Sequence, residues 1–96
     1  MTQLVWTLRA RADIQDHYDY LLKVDEEVAQ KAIRTIVEAG RQLTTAPEIG
    51  VLLDKPSGLR KWPVKFGKAG YVLHYIPMDS KIVIARVYHG SQSRPY

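Results

Sequence analysis

The chain begins with an apolar run of β-forming residues, Leu4-Val5-Trp6, which predicts a short first strand. Thr7 follows, with a hydroxyl suited to capping a helix. Ala10, Ile14, Tyr18, Leu21 and Leu22 then recur at three- and four-residue spacing, which is one face of a helix. Asp13, Asp16 and Asp19 fall mostly off that face and read as its solvated side. Val24-Asp25-Glu26-Glu27 is a stop and a restart: Asp25 is a natural N-cap, and two glutamates suit the positive end of a new helix. Val28, Ala29, Ala32, Ile33, Ile36, Val37 and Leu43 form a second apolar stripe, which Gly40 weakens without ending. Helices joined this tightly fold back as an antiparallel hairpin.

The stretch from Thr44 to Ser57 holds Pro47, Gly50 and Pro56 and reads mainly as loop. After Gly58 the period changes from helical to alternating. Leu59–Phe66, Tyr71–Ile76 and Lys81–Tyr88 are strand-like, joined through Gly67-Lys68-Ala69-Gly70 and Pro77-Met78-Asp79-Ser80. Connections so short make antiparallel neighbours, because a parallel crossover needs a dozen or more residues. The expected fold class is therefore α+β: an N-terminal strand, then an antiparallel helical hairpin packed on a small antiparallel sheet, in the order β-α-α-β-β-β. Ile14, Ile33, Ile36, Leu73 and Ile84 are expected in one core.

Length fits this outline. A chain of 96 residues is expected to form one domain over 1–96, burying roughly 60–65% of its unfolded surface. Its 46% apolar and 25% charged residues suit a folded globule and not a disordered chain. The absence of cysteine removes disulfides, thiolate catalysis and Cys-ligated zinc, and fits a reducing compartment. No N-terminal apolar run suggests a secretory signal, and no stretch reaches the ~18 apolar residues of a membrane span, so a cytoplasmic location is expected.

Charge changes the picture more. Residues 1–54 carry six Lys/Arg against nine Asp/Glu, a balance of −3. Residues 55–96 carry eight Lys/Arg against one acid, Asp79, a balance of +7. A half-chain so poor in acids suits an acidic partner, whether nucleic acid or protein.

Candidate chemistry is sparse. His17, His74 and His89 share no metal-ligand spacing. His17 reads as a solvated or partly buried ring, and His74 as a sheet-face residue. His89 ends the last strand beside Gly90, where strand ends carry sites. Ser57, Ser80, Ser91 and Ser93 stand in turn or tail contexts without a nucleophile elbow. Gly67 and Gly70 lead into a strand, not a helix, so they are no phosphate-cradling loop. What remains is a set of cations, Arg60, Lys61, Lys65, Lys68, Lys81, Arg86 and Arg94, interleaved with Trp62, Phe66, Tyr71, Tyr75, Tyr88 and Tyr96. That mixture suits RNA as well as a protein interface, with about half of the aromatics facing the helices as core.

Taken in order, these pieces resemble ParE-type toxins of the ParE/RelE superfamily in bacterial toxin–antitoxin pairs. The resemblance runs over about residues 4–92. Trp6, Ala12-Asp13-Ile14 and Tyr18 are similar to the family's A-x-D-[LI] helix followed by an aromatic. Leu43 and Pro47-Glu48-Ile49-Gly50 match its leucine and P-x-[LI]-G after the second helix. Tyr71-Val72-Leu73-His74-Tyr75 is similar to its aliphatic strand ending in tyrosine, and Ile82 to His89 to its I-x-I-x-R-[IV]-L-H. The Gly90–Tyr96 tail is shorter and more polar than in many ParE members.

The resemblance implies a type II toxin held inactive by a cognate antitoxin in a hetero-oligomeric complex, with no cofactor and no metal. ParE-like members inhibit DNA gyrase by binding. For that activity Arg60, Lys61, Lys65, Arg86 and His89 are the candidate target-binding residues, and the apolar groove between helices and sheet edge is the expected antitoxin seat. The alternative is the RelE-type activity, a ribosome-dependent endoribonuclease cutting messenger RNA, with Lys65, Arg86, His89 and Tyr96 as catalytic candidates. RelE-like proteins place arginines where this chain has Val72 and Gly90, which favours the binder over the enzyme. A third reading keeps only the regulatory complex, without toxicity.

Overall fold

The computed structural model describes residues 2–95. Both helices start on the caps that the sequence offers. Ala10 N–H donates to Thr7 Oγ1 at 3.0 Å, opening helix α1 (Leu8–Leu22). Glu27 and Val28 N–H donate to Asp25 Oδ1 at 2.8 and 3.3 Å, opening helix α2 (Glu26–Thr45). Glu26 and Glu27 fill the first turn of α2, where negative charge meets the helix dipole. The apolar stripe of α2 buries Ala29, Ala32, Ile36, Ala39, Gly40 and Leu43. Its small residues let the strands approach: a Cβ on Gly40 would lie 2.7 Å from Cζ2 of Trp6.

The strands are β1 (Gln3–Trp6), β2 (Val51–Asp54), β3 (Leu59–Val64), β4 (Tyr71–Met78) and β5 (Lys81–His89). They form one sheet in the order β1-β5-β4-β3-β2. The β2–β3, β3–β4 and β4–β5 pairs are antiparallel, and β1 lies parallel to β5 with Trp6 opposite Ile84. The α+β class and the helical hairpin are those expected from the sequence.

Two details differ from that outline. Val51–Asp54 is a strand within the stretch read as loop, so the order is β-α-α-β-β-β-β. It is held by neighbours that the local sequence does not show. The Tyr75 hydroxyl accepts from Gly50 N–H at 2.9 Å and donates to Pro47 O at 2.8 Å, while Arg60 Nη1 donates to the carbonyls of Glu48 and Gly50 at 3.2 and 2.7 Å. The sheet is also mixed, because the 74 residues between Trp6 and Lys81 leave room for β1 to run parallel beside β5.

The core lies between the hairpin and one sheet face. Ile36, Leu43, Leu73, Tyr75, Ile82, Ile84 and Val87 are fully buried there, with Trp6, Ile14, Trp62 and Phe66 packed at its margin. Of the five residues expected in one core, Ile36, Leu73 and Ile84 are central and Ile14 is marginal. Ile33 is instead half-buried, lining a shallow depression between the helices with Ile14 and Tyr18. Among the described residues, no helix is long and apolar enough to cross a membrane.

Candidate functional site

Alternation along the strands sorts the basic half of the chain onto two faces. Trp62 pairs with Leu73 and Val64 with Tyr71, all toward the helices. Lys61 pairs with His74 and Pro63 with Val72, on the opposite face. The last strand departs from simple alternation. His74 stands opposite Arg86 but Tyr75 stands opposite Ile84, so Ala85 is an extra residue, a β-bulge. Ile82, Ile84 and Val87 can thus all be buried against the helices, while Arg86 and Tyr88 turn to the other face.

The bulge sits where β1 ends. Beyond it, side chains of α1 take over the role of a neighbouring strand along β5. Thr7 Oγ1 donates to Ala85 O at 3.0 Å, Val87 N–H donates to Asp13 Oδ2 at 2.9 Å, and His17 Nε2–H donates to Val87 O at 2.8 Å. Asp13 was read as part of a solvated face. It is instead 8% exposed, and its carboxylate also receives Arg86 Nε at 2.7 Å and Nη2 at 3.0 Å. Burial alone would raise the Asp13 pKa. The bonds from Arg86 and Val87, with the charges of Arg86 and His17, outweigh burial and hold it below the usual carboxylate value. Arg86 Nη1 donates to the Tyr88 hydroxyl at 3.2 Å, and its guanidinium lies 4.6 Å from the centre of that ring.

His74 is buried in the face opposite the helices, with its ring edge-on to Tyr88 at 4.8 Å. Burial first, then the charges of Arg94, Lys61 and Arg86, push its pKa below the ordinary histidine value. This face is therefore crowded with positive charge. Burial and the neighbouring cations both disfavour a further positive charge at His74.

The five candidate target-binding residues do not form one patch. Lys61 and Arg86 share the face opposite the helices, and Lys65 follows β3, exposed at its rim. Arg60 points to the helix side and holds the loop after α2. His89 ends β5 on the helix side, edge-on to Tyr71 at 5.7 Å, with Nδ1 2.8 Å from Ser91 Oγ. It lines a cleft of about 790 Å³ with His17, Tyr20, Val28, Phe66 and Tyr71. Tyr96 lies outside the described residues.

Val72 and Gly90 are the positions at which the resemblance to RelE-like proteins calls for arginines. Val72 is 7% exposed on the basic face. Gly90 has no room for a side chain, since a Cβ there would lie 1.8 Å from the Ala69 carbonyl oxygen. The sequence pattern does not show that Asp13 and His17 hold the end of β5. Their spacing of one helical turn, level with Ala10 and Ile14, was the available signal. Among the described residues, no three His, Asp or Glu side chains gather as a metal site.

A second groove of about 710 Å³ runs between α2 and β3, lined by Lys31, Thr35, Ala39, Trp62 and Pro63 among others. The pairing of β2 with β3 stops at Lys61, so Trp62 to Val64 present a strand edge to this groove that β2 does not cover.

The chain is similar to known toxins along nearly its whole length. Residues 4–94 match the family model for the ParE toxin of the type II toxin–antitoxin system parDE. Two curated relatives come from Caulobacter vibrioides. Toxin RelE3 is 34% identical over 90% of this chain and 91% of its own length, and Toxin RelE2 is 32% identical over 96% and 99%. A solved structure of the chromosomal ParDE TA system from P. aeruginosa superposes with a TM-score of 0.73 at 27% identity, covering 93% of this chain and 96% of that one. A family match over nearly the whole chain, with relatives above 30% identity along almost their full length, shows that the protein belongs to the ParE toxin family of type II toxin–antitoxin systems.

Proposed function

We propose that this toxin acts by binding DNA gyrase and blocking its supercoiling activity, and that it carries out no bond cleavage of its own. The observation that carries this reading is the state of its arginines. Cleaving a phosphodiester needs cations aimed at the developing charge, and losing one such donor typically costs about 2.7–4 kcal/mol of barrier lowering. Here Arg86 is engaged by both oxygens of Asp13 and by Tyr88, Val72 is apolar, and Gly90 is closed to any side chain. What stays available is charge for docking: Lys61 on the face opposite the helices and Lys65 at its rim, while Arg86 is held by Asp13 and His89 lies on the helix side. Arg60 supports the loop beside them and so acts indirectly.

A type II toxin of this family has a cognate antitoxin as its partner. We assign its seat to the groove between α2 and the uncovered edge of β3, where an extended segment finds both strand edge and apolar wall.

The competing reading is the ribonuclease, favoured by the RelE names of the two Caulobacter relatives. One pair of assays separates the two. Purified toxin is expected to inhibit supercoiling by gyrase and to leave messenger RNA intact on programmed ribosomes. Cleavage at A-site codons, with gyrase unaffected at micromolar toxin, would reverse the assignment and make Lys65, Arg86, His89 and Tyr96 the catalytic candidates.

A further inference from the structure

The cleft of about 790 Å³ on the helix side is built from the end of α1, the start of α2, the β3–β4 turn and the residues after β5. It shares no lining residue with the groove between α2 and β3. Tyr71, 4% exposed, forms its floor. Three further rings stand around that floor, with centroids at 5.1 Å for His17, 5.8 Å for Phe66 and 5.7 Å for His89. Leu21 and Val28 add an aliphatic wall. Asp16 and Lys68 are its acid and its base, so the two offset each other and the cleft favours no ion of either sign.

Hydrogen bonds to the backbone fix where the two imidazoles carry their protons. Ser91 N–H donates to His89 Nδ1 at 3.3 Å, and Ser91 Oγ lies 2.8 Å from the same atom. A backbone N–H only donates, so Nδ1 keeps its lone pair and the ring proton lies on Nε2. His17 Nε2 lies 2.8 Å from the Val87 carbonyl oxygen, which only accepts. Its proton is therefore on Nε2, and in the neutral ring Nδ1 carries a lone pair. Among the described residues, neither His89 Nε2 nor His17 Nδ1 has a hydrogen-bond partner. Val87 and His89 are alternate residues of β5 and share one face of the strand, so both imidazoles meet at the same end of the cleft. One donor and one acceptor are thus set together among aromatic rings.

We propose that this cleft binds a neutral, planar ring compound bearing a carboxamide or lactam group. The amide oxygen accepts from His89 Nε2–H, the amide N–H donates to His17 Nδ1, and the ring packs on Tyr71 and Phe66. A ligand that enters the cleft takes water from both ring nitrogens, and one that does not replace those bonds leaves two polar groups unmet. A hydrocarbon fails on that count. A carboxylate has no proton for His17, and Lys68 can offset its charge only against Asp16. The cleft volume falls within the range of about 300–1,000 Å³ usual for small-molecule sites. The site stands apart from the gyrase assignment, because it follows from rings and hydrogen bonds on the helix side alone.

The test is titration of the full-length toxin with benzamide, benzoate and N,N-dimethylbenzamide. Backbone amide shifts give the affinity and the location. Benzamide carries both polar groups, benzoate replaces them with a charge, and the dimethyl compound keeps the acceptor alone. Saturable binding of benzamide at about 1–10 mM is expected for so small a ligand, with shifts at residues 16–28, 66–71 and 89–92. The other two should bind about tenfold more weakly, the usual loss when a buried polar group is left unpaired. His89→Phe keeps a ring against Tyr71 and removes Nε2–H, so it should also weaken benzamide about tenfold. Val28→Trp starts from a side chain 38% exposed, so it should keep the fold while filling the cleft and abolishing binding. Lys81→Ala, at the opposite end of β5, is expected to bind as the wild type does. Absence of saturable benzamide binding, equal or tighter binding of benzoate, shifts centred outside the cleft, or wild-type affinity in both His89→Phe and Val28→Trp overturns the proposal. None of these results bears on supercoiling, so the two readings fail separately.

Discussion

Asp13 shows how one residue joins the two layers of the molecule. Its carboxylate accepts Val87 N–H from the sheet edge and grips Arg86 with both oxygens. Removing one partner of a buried pair leaves the other charge stranded, at a cost of about 3–5 kcal/mol. Arg86 keeps 25% of its side-chain exposure, so Asp13→Ala is expected near 3 kcal/mol, the low end of that range. Urea unfolding with an unchanged m-value measures it, and Asp16→Ala on the exposed side of the same helix should stay within about 0.5 kcal/mol. The pH dependence gives a second check. The folded-state pKa of Asp13 is lowered, so its stabilisation is full above the ordinary value of 3.8 and is lost as pH falls through the lower, folded value. Asp13→Ala should lack that acid loss, and a variant with the same acid profile as the wild type would remove the carboxylate from this role. The residue was hard to read from sequence because the helical period shows which positions are apolar. A charge that is buried by pairing across 73 residues has no local signature.

At the scale of elements, legibility followed locality. Caps, the hairpin and the tight β3–β4 and β4–β5 turns depend on neighbours in sequence, and all were legible. The four-residue β2 depends on Tyr75 and Arg60 from other strands, and its flanking Pro47, Gly50 and Pro56 gave the stronger local signal. The Ala85 bulge was equally hidden. Strict alternation would place Arg86 on the core side with Ile82 and Ile84, and only the site where β1 gives way to α1 shows that the strand must slip there. Gly40 illustrates the same conflict in energetic terms. Replacing it by Ala in mid-helix gains about 1 kcal/mol of propensity. The new methyl meets Trp6 at 2.7 and 2.9 Å, and an indole fixed at the core margin cannot swing away as a flexible chain would. Overpacking of this kind costs about 1–3 kcal/mol, so Gly40→Ala is expected to destabilise or at best break even. A clear rise in melting temperature would mean that Trp6 is not seated on α2.

For the whole molecule, the chemistry divides by surface. Acids concentrate on the helical half and cations on the sheet half, with a balance of −3 over residues 1–54 and +7 over 55–96. The sequence made that division plain but left open which cations face the same way. Strand parity and the bulge decided it, separating Lys61 from Arg60 although they adjoin in the chain. The proposed antitoxin groove lies between α2 and β3, and meets the basic face along the end of β3, where Pro63, Val64 and Lys65 border both. Two substitutions should therefore separate neutralisation from toxicity. Thr35→Trp puts a bulky ring on the groove wall without touching the basic face. It is expected to leave supercoiling inhibition in place while the antitoxin no longer relieves it. Lys61→Glu reverses a charge that faces away from the groove. It is expected to weaken inhibition and to keep antitoxin binding, and added salt should weaken wild-type inhibition in the same direction, because an exposed cationic contact is screened. Supercoiling assays with and without antitoxin, alongside calorimetry of the toxin–antitoxin pair, read both effects. If both substitutions impair both partners equally, the two surfaces are one. Neutralisation would then be direct competition for the basic face and not occupation of a separate groove.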